Sequence, residues 1–303
     1  MAGVTEPLLF ILAMDQRDSI EQKLYELQSA PTPEQAASIA ANKLLVYRGL
    51  LDAVPGLPEG GRPGFLVDEQ YGGSPAVLAA ADPAVDLAMP IEASGQEWFD
   101  FAYGHDWRSH AEFFGAKHPK VLIRDNPGLD PASRAEQADK VAVISAGARR
   151  TGREFIVELL VPAGDDDLAK VGGDTDRYDR EVRPGLTVQA IEFLQDHGVE
   201  PSIWKIEGLA QREDAEKVAE AARRGGRDGR CIVLGRHAPQ EQLDEWLRVA
   251  APVEGFIGFA IGRSIWWDAL EGRLAETLDE AAARKQVADA YTHYVHTYLA
   301  ARG

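Results

Sequence analysis

The sequence is poor in cysteine and in positive charge. Cys231 is the only cysteine among 303 residues, so the chain can form no intramolecular disulfide and no cysteine-rich metal site. Its 32 lysines and arginines are outnumbered by 49 aspartates and glutamates, which gives a net charge of −17. Such an acidic chain repels nucleic acid and anionic lipid, and we expect it to bind neither. An anionic substrate would need cations concentrated locally at its binding site.

Targeting signals and long hydrophobic runs are also lacking. The N-terminal segment MAGVTEPLLFILAMDQR has no basic start and no small-residue cleavage site. Its apolar run, Leu8 to Met14, is far too short to span a bilayer. Neither a P-loop nor the glycine pattern of a Rossmann fold occurs. We therefore expect a cytoplasmic protein that does not contact membranes, and we separately predict that it is a homo-oligomer.

What the sequence does contain is a regular alternation of short apolar runs with longer polar stretches. Eight apolar runs recur: LLFILAMDQ (8–16), GFLVDEQ (64–70), VDLAMPIEAS (85–94), KVLIRDN (120–126), EFIVELLVP (154–162), SIWKIEG (202–208), CIVLGR (231–236) and GFIGFAIGR (255–263). Continuous runs of this length are typical of strands that are covered on both faces, as in a parallel sheet.

The stretches between the runs have helical periodicity. The spacing predicts helices over 33–54, 130–150, 178–198, 238–251 and 276–301, the last of which could close a barrel. Eight strand–helix units favour a closed (β/α)8 TIM barrel, an α/β fold, over an open doubly wound sheet. No Gly/Ser-rich or Pro-rich linker divides the chain, so we predict one barrel domain over 1–303. The acidic stretch 164–178 is predicted as a loop after the fifth strand, which is either solvated, forms a lid or binds a cation through its carboxylates.

Ionisable side chains collect where the predicted strands end. Charges within apolar runs are costly unless they are paired or used, and barrel enzymes place their reactive groups at the carboxyl ends of the strands. Repeated along the chain, this pattern predicts a polar mouth on an apolar barrel. The residues concerned are Asp15, Arg17, Asp68, Glu69, Glu92, Arg124, Asp125, Glu158, Lys205, Glu207, Arg236 and Arg263.

The sixth run, SIWKIEG, carries a lysine in a position suited to chemistry. Because side chains alternate along a strand, Lys205 and Glu207 share one face while Trp204 and Ile206 share the other. We expect Trp204 and Ile206 to pack against the outer helices, and Lys205 and Glu207 to face the barrel mouth. Partial desolvation there favours the neutral amine that attacks a ketone to form a Schiff base. The alternative is a lysine that only neutralises carboxylates.

Cleavage of a carbon–carbon bond through such an imine also requires a base for the hydroxyl proton. Glu158, Asp15, Asp68 and Glu92 all qualify by position. Glu158 stands on the strand before the lysine strand. It is either the base or an ion-pair partner of a neighbouring lysine.

The last two runs both end in Gly-Arg. Barrels often bind phosphate with the loops after strands seven and eight and the N-terminus of a short extra helix. Gly235 and Gly262 would let backbone amides approach the anion, and Arg236 and Arg263 would add charge-assisted hydrogen bonds. The alternative is that the glycines end strands and the arginines pair with carboxylates.

A metal-dependent lyase or isomerase acting on a sugar phosphate is the second functional class considered. Only His237 among the seven histidines lies at a predicted strand end, which argues against zinc. A magnesium ion bound by Asp68, Glu69 and Glu92 is the remaining metal hypothesis. A non-catalytic sugar-phosphate-binding barrel is the third.

The sequence resembles a known enzyme family over residues 8 to about 267. The matching stretches are ILAMDQRDS, VDEQYG, PIEASGQEWFDFAYG, KVLIRDNP, VELLVP, YDREVRP, GVEPSIWKIEG, CIVLGR and GFIGFAIGRSIWW. It looks like the aldolase domain of myo-inositol catabolism, the 5-dehydro-2-deoxyphosphogluconate aldolase type. It is more distantly similar to tagatose-bisphosphate and sulfofructose-phosphate aldolases. These relatives are lysine Schiff-base enzymes, so the resemblance implies an aldehyde-lyase without a metal cofactor that acts on an anionic sugar and releases dihydroxyacetone phosphate.

The resemblance also assigns residues. It makes Lys205 of WKIEG the imine former, with Glu158 and Asp15 as its catalytic neighbours. The expected substrate-binding residues are Gln16, Arg17, Asp68, Glu92, Arg124, Gly235, Arg236, Gly262 and Arg263. Lys120 opens the run KVLIR and is therefore expected at the bottom of its strand, as a weaker candidate than Arg124. Inositol-pathway members usually have His in place of Gln16 and Tyr in place of Asp125, and the change at Gln16 points toward the tagatose and sulfofructose enzymes.

Overall fold

Eight parallel strands form a closed barrel in the computed structural model, which describes residues 7–303. The strands are β1 (Leu8–Met14), β2 (Gly61–Val67), β3 (Asp86–Pro90), β4 (His118–Arg124), β5 (Ile156–Leu160), β6 (Ile203–Glu207), β7 (Arg230–Leu234) and β8 (Phe256–Ile261). Each strand pairs with the next in chain order, and β8 pairs with β1. The (β/α)8 barrel predicted from the alternation is thus confirmed, and the open-sheet alternative is wrong.

The strands are buried almost throughout, as expected for a sheet covered on both faces. Closure between β8 and β1 depends on Gly258, where the two backbones come unusually close. A Cβ atom at this position would lie 1.9 Å from the carbonyl oxygen of Leu9, and the φ angle of +145° is one that L side chains rarely adopt. Glycine is therefore required at this position.

Helices alternate with the strands and surround the barrel. They are α1 (Pro33–Ala53), α2 (Glu69–Ala81), α3 (Trp107–Phe113), α4 (Pro131–Arg150), α5 (Asp165–Lys170), α6 (Thr175–Arg177), α7 (Arg183–Asp196), α8 (Arg212–Ala222), α9 (Gln240–Ala250), α10 (Arg263–Leu274) and α11 (Glu280–Arg302). The five predicted helices correspond to α1, α4, α7, α9 and α11. The acidic stretch 164–178 is not a plain loop, because it contains the short helices α5 and α6.

The long C-terminal helix α11 packs on the outside of the barrel where the first and last units meet. The hydroxyl of Tyr291 donates a hydrogen bond to the carbonyl oxygen of Phe10, and that of Tyr298 donates to Phe256. Both tyrosines are fully buried. The helix thus ties β1 to β8, as expected for a closing element. Within residues 7–303, no helix is long and apolar enough to cross a membrane.

Most predicted runs extend past the carboxyl ends of the actual strands. The run 8–16 continues two residues beyond β1, and the run 85–94 continues four residues beyond β3. These overhanging residues form the rim of the barrel mouth. Asp68, in the run 64–70, instead begins a helix, since its carboxylate accepts a hydrogen bond from the backbone N–H of Tyr71 at 2.9 Å and caps α2.

Candidate active site

A cavity of about 830 Å3 opens at the carboxyl ends of the strands. This end of the barrel is the one on which enzymes of this architecture carry their active sites. The cavity brings together eleven of the twelve residues predicted for the site. They are Asp15, Gln16, Arg17, Glu92, Arg124, Glu158, Lys205, Gly235, Arg236, Gly262 and Arg263.

Lys205 lies on β6 with its side chain directed into this cavity. It is 3% exposed, and its Nζ lies 3.0 Å from a carboxylate oxygen of Glu158. The contact follows from the register, because Glu158 on β5 is the direct partner of Lys205 on β6. The predicted alternation of the sixth strand is therefore correct. Lys205 and Glu207 both line the cavity, whereas Trp204 is buried in the core.

Lys120 is the centre of the charge cluster, contrary to the sequence-based expectation. Its Nζ contacts Asp15 at 2.8 Å, Glu92 at 2.7 Å and Glu158 at 2.8 Å, and its side chain is 1% exposed. Lys120 was predicted at the bottom of its strand because it opens the apolar run. The strand in fact begins at His118, so Lys120 is its third residue and reaches the cavity.

The charged groups of this cluster change one another's pKa values, raising some and lowering others. Burial alone would lower the pKa of Lys120, but the carboxylates of Asp15, Glu158 and Glu92 hold it well above its usual range. Burial opposes the ionisation of Glu158 and Asp15, yet Lys120 and Lys205 keep the pKa of both carboxyls below the usual range. Burial prevails at Glu92 and raises the pKa of that carboxyl. These shifts favour the ammonium form of Lys120 and the carboxylate forms of Glu158 and Asp15.

Asp68 does not belong to the site, and this prediction is wrong. Its side chain is buried away from the cavity, where it forms an ion pair with Lys43 of α1. Glu69, two residues past β2, binds His110 at 2.7 Å. Glu92 contacts Lys120, so the three carboxylates of the magnesium hypothesis bind three different side chains. In the described part of the chain, no three His, Cys, Asp or Glu side chains are grouped so that they could hold a metal ion.

Two arginines at the rim, Arg17 and Arg124, form no ion pair with a carboxylate of residues 7–303. The guanidinium of Arg17 donates to the carbonyl oxygen of Glu92 at 2.9 Å, and its Nε is buried with no hydrogen-bond partner. The guanidinium of Arg124 donates to the carbonyl oxygen of Gln96 at 2.9 Å. The side-chain oxygen of Gln16 is likewise buried and has no partner in the described part of the chain. These groups supply hydrogen-bonding capacity that residues 7–303 leave unused.

Arg236 was predicted to bind an anion, but its guanidinium is already paired. It contacts Asp179 at 2.9 Å and Glu207 at 3.1 Å, close to Arg183. Burial raises the pKa of Glu207 despite these arginines. Arg236 therefore neutralises carboxylates at the rim, which is the alternative that the sequence left open for the Gly-Arg endings.

Arg263 stands in contrast to Arg236, since it forms no ion pair with a carboxylate of residues 7–303. It is the first residue of α10, so it combines its own charge with the positive end of a helix dipole. Gly262 before it is needed for close packing, because a Cβ atom there would lie 2.6 Å from the carbonyl oxygen of Ala13. The expected short extra helix is absent from this region, since α10 follows β8 directly.

Two cavity residues near Arg263 were missed by the sequence analysis. His237 lines the cavity, and burial together with the neighbouring Arg263 and Lys23 lowers its pKa. Lys23 also lines the cavity. Arg236 and His237 both have left-handed backbone conformations, with φ of 51° and 61°. Successive N–H groups in turns of this kind form concavities that bind anions. The turn thus lies in the same part of the cavity as the cationic side chains of Arg263 and Lys23.

Comparison with solved structures identifies relatives of the same fold. Fructose-bisphosphate aldolase from Plasmodium falciparum superposes with a TM-score of 0.68 at 13% identity, covering 95% of this chain and 90% of the other. A protein of Corynebacterium glutamicum superposes with a TM-score of 0.61 at 17% identity, covering 97% of this chain and 87% of the other. An archaeal fructose-1,6-bisphosphate aldolase, whose catalytic lysine is covalently bound to the carbinolamine intermediate of the substrate, gives 0.57 at 13% identity, with coverages of 96% and 94%.

Sequence comparison gives a more direct assignment. A comparison with curated proteins found no significant match. The family model described as "Uncharacterized protein conserved in bacteria (DUF2090)" matches residues 3–302. Since this match covers almost the whole length, the chain belongs to the DUF2090 family.

Proposed function

We propose that the protein is a class I aldolase that forms a Schiff base through Lys205. The observation that carries the proposal is the position of the Lys205 amine. It lies in the cavity at the carboxyl ends of the strands, 3.0 Å from the carboxylate of Glu158. The barrels that superpose on this chain include fructose-bisphosphate aldolases, one of which has its catalytic lysine bound to a carbinolamine. The motifs WKIEG, VELLVP and GFAIGR support the same activity.

The two lysines of the cluster are suited to different tasks. An amine must be neutral to attack a carbonyl carbon. Lys120 is surrounded by three carboxylates that keep it protonated. Among residues 7–303, Lys205 forms an ion pair only with Glu158, which Lys120 also binds at 2.8 Å. We therefore assign the nucleophile to Lys205 and assign to Lys120 a fixed positive charge that stabilises oxyanions and orients the carboxylates.

Glu158 is placed to move the protons that this chemistry requires. The amine of Lys205 adds to the substrate ketone, and loss of water from the carbinolamine gives a protonated imine. The imine then accepts the electron pair of the adjacent carbon–carbon bond while a base removes the hydroxyl proton, which releases an aldehyde and leaves an enamine. Protonation of the enamine carbon and hydrolysis regenerate the amine. Glu158 serves as the base, and Asp15 holds Lys120 in place across the cavity.

The anion site beside Arg263 fits the phosphate of the ketone half. Arg263, Lys23 and His237 concentrate positive charge there in a chain whose net charge is −17. The left-handed turn at Arg236 and His237 and the N-terminus of α10 supply backbone N–H donors. We infer that the released ketone is dihydroxyacetone phosphate, held as the enamine on Lys205.

The other half of the substrate meets Gln16, Arg17 and Arg124. Arg124 is the last residue of β4, four strands around the barrel from β8, and thus lies across the mouth from Arg263. An anionic group on the aldehyde half therefore fits this side. We infer a phosphorylated keto sugar acid of the 5-dehydro-2-deoxygluconate 6-phosphate type, as in inositol catabolism. Tagatose bisphosphate and sulfofructose phosphate are the alternatives, and Gln16 favours them.

Borohydride trapping tests the proposal. The protein is incubated with each of these substrates and with dihydroxyacetone phosphate, then reduced and digested for mass spectrometry. We expect the reduced adduct on Lys205, none in Lys205→Met, and no effect of EDTA, because the protonated imine serves as the electron sink. Full activity in Lys205→Met, or loss of activity on chelation, would overturn the proposal.

A further inference from the structure

Lys43 is a fully buried lysine that lies outside the cavity and takes no part in the chemistry described above. It stands on α1 with a side-chain exposure of 0%. Its Nζ donates hydrogen bonds to the carbonyl oxygens of Met14 and Gln16, both at 2.8 Å, and forms an ion pair with Asp68. Every donor of this ammonium is therefore satisfied by a residue at the end of β1 or β2.

The two carbonyls bound by Lys43 belong to the residues immediately before and after Asp15. Strand β1 ends at Met14, which is also the last residue paired with β2. Asp15 therefore lies beyond the ladder that fixes the rest of the strand. Lys43 holds the backbone here instead, by binding the carbonyl groups of the residues before and after Asp15. The carboxylate of Asp15 in turn lies 2.8 Å from Lys120.

The cost of burying the Lys43–Asp68 ion pair indicates that it has a role beyond stabilising the fold. Burial lowers the pKa of Lys43, and the nearby carboxylate of Asp68 opposes this shift. A buried ion pair seldom adds net stability over apolar side chains of similar size, because desolvation consumes most of the attraction. An apolar side chain in place of Lys43 would, however, leave the carbonyls of Met14 and Gln16 without a common partner.

We propose that Lys43 is a positioning residue that sets the carboxylate of Asp15 against Lys120. Through Lys120 it determines where Glu158 and the Lys205 amine lie, since Glu158 bridges the two lysines at 2.8 and 3.0 Å. The effect on turnover depends on the proposed aldolase activity, but the effect on the ionisation of Asp15 does not.

The double variant Lys43→Met with Asp68→Asn tests this role without leaving a buried charge unpaired. The asparagine amide oxygen can still accept the hydrogen bond from the backbone N–H of Tyr71 that caps α2. We expect kcat to fall about 10- to 100-fold with little change in KM, because small displacements of catalytic groups have effects of this size. We also expect the pKa of Asp15, followed by carboxyl carbon NMR, to rise toward its usual value as the contact with Lys120 loosens.

Controls separate positioning from a general loss of stability. Arg227→Met with Glu200→Gln removes a partly buried ion pair at the opposite end of the barrel and should change neither kcat nor the titration of Asp15. Lys43→Gln with Asp68→Asn retains one amide donor and should recover part of the lost kcat; it also replaces the Met variant if that variant does not fold.

The outcomes distinguish the two proposals. If the ionisation of Asp15 and kcat change no more than in the Arg227 control, Lys43 is only structural and the inference is wrong. If the wild-type protein forms no imine, but the pKa of Asp15 rises in the Lys43→Met variant and is partly restored in the equally uncharged Lys43→Gln variant, the positioning role stands and the aldolase proposal fails.

Discussion

Glu158 lies 3.0 Å from Lys205 on the neighbouring strand, in direct register across the β5–β6 ladder. This pairing places a carboxylate beside the amine through the backbone alone, without a flexible loop. The same carboxylate contacts the fixed ammonium of Lys120 at 2.8 Å. Glu158 therefore bridges the two lysines, which is the arrangement on which the proposed division of tasks rests.

Replacing Glu158 with glutamine removes the proposed base and keeps the shape of the side chain. We expect kcat to fall about 10²- to 10⁴-fold, the usual contribution of a positioned acid or base. Steady-state kinetics and the rate of borohydride trapping measure the effect. The matched control is Glu154→Gln at the other end of the barrel, which should leave kcat unchanged. A Glu158→Gln enzyme with normal turnover would exclude Glu158 as the base.

Removing the central ammonium should destabilise the protein in a pH-dependent manner. In Lys120→Met three buried carboxylates lose the ammonium that they share, and we expect the free energy of unfolding at pH 7 to drop by about 3–5 kcal/mol. The loss should shrink at lower pH, because protonation relieves the repulsion among the carboxylates. Urea unfolding at several pH values measures this, and a loss independent of pH would contradict the cluster as described.

Ionisation of Asp15 should stabilise the folded protein and ionisation of Glu92 should destabilise it, although both carboxyls contact Lys120. The pKa of Asp15 is lowered in the fold from its usual 3.8, so its ionised form adds stability that is fully present above that value and is lost as the pH falls through the folded pKa. The pKa of Glu92 is raised from its usual 4.5, so its ionisation subtracts stability at pH values above the folded pKa.

The variants Asp15→Asn and Glu92→Gln check these signs. At pH 7 we expect the first to be less stable than the wild type and the second to be equally or more stable. The Glu92→Gln difference should diminish as the pH falls to about 4.5, whereas the Asp15→Asn difference should persist at pH 4 and diminish only below 3.8. Thermal unfolding across this range decides the matter, and a stabilising Asp15→Asn substitution would reverse the assignment of the ionised carboxylate.

The sequence predicted the features of this site that leave a local pattern, and it missed those that arise from tertiary packing. Apolar runs located all eight strands, because a strand covered on both faces leaves a local mark in the sequence. Lys120 was underrated, since the strand starts two residues earlier in a His-Pro pair that does not look apolar. The pairing of Asp68 with Lys43 could not be foreseen, because it joins α1 to the end of β2 through tertiary packing. Arg236 and Arg263 both follow a glycine at the end of a predicted strand, but tertiary packing gives them different partners.

The two Gly-Arg arginines should respond differently to substitution. Arg263 has no carboxylate partner among residues 7–303, whereas Arg236 pairs with Asp179 and Glu207. For Arg263→Met we expect a rise in KM for a phosphorylated substrate of about 10- to 100-fold, which corresponds to the loss of charge-assisted hydrogen bonds. For Arg236→Met we expect a smaller rise. Calorimetric titration with inorganic phosphate provides a measurement independent of turnover, and stronger weakening by Arg236→Met than by Arg263→Met would move the anion site to the other arginine.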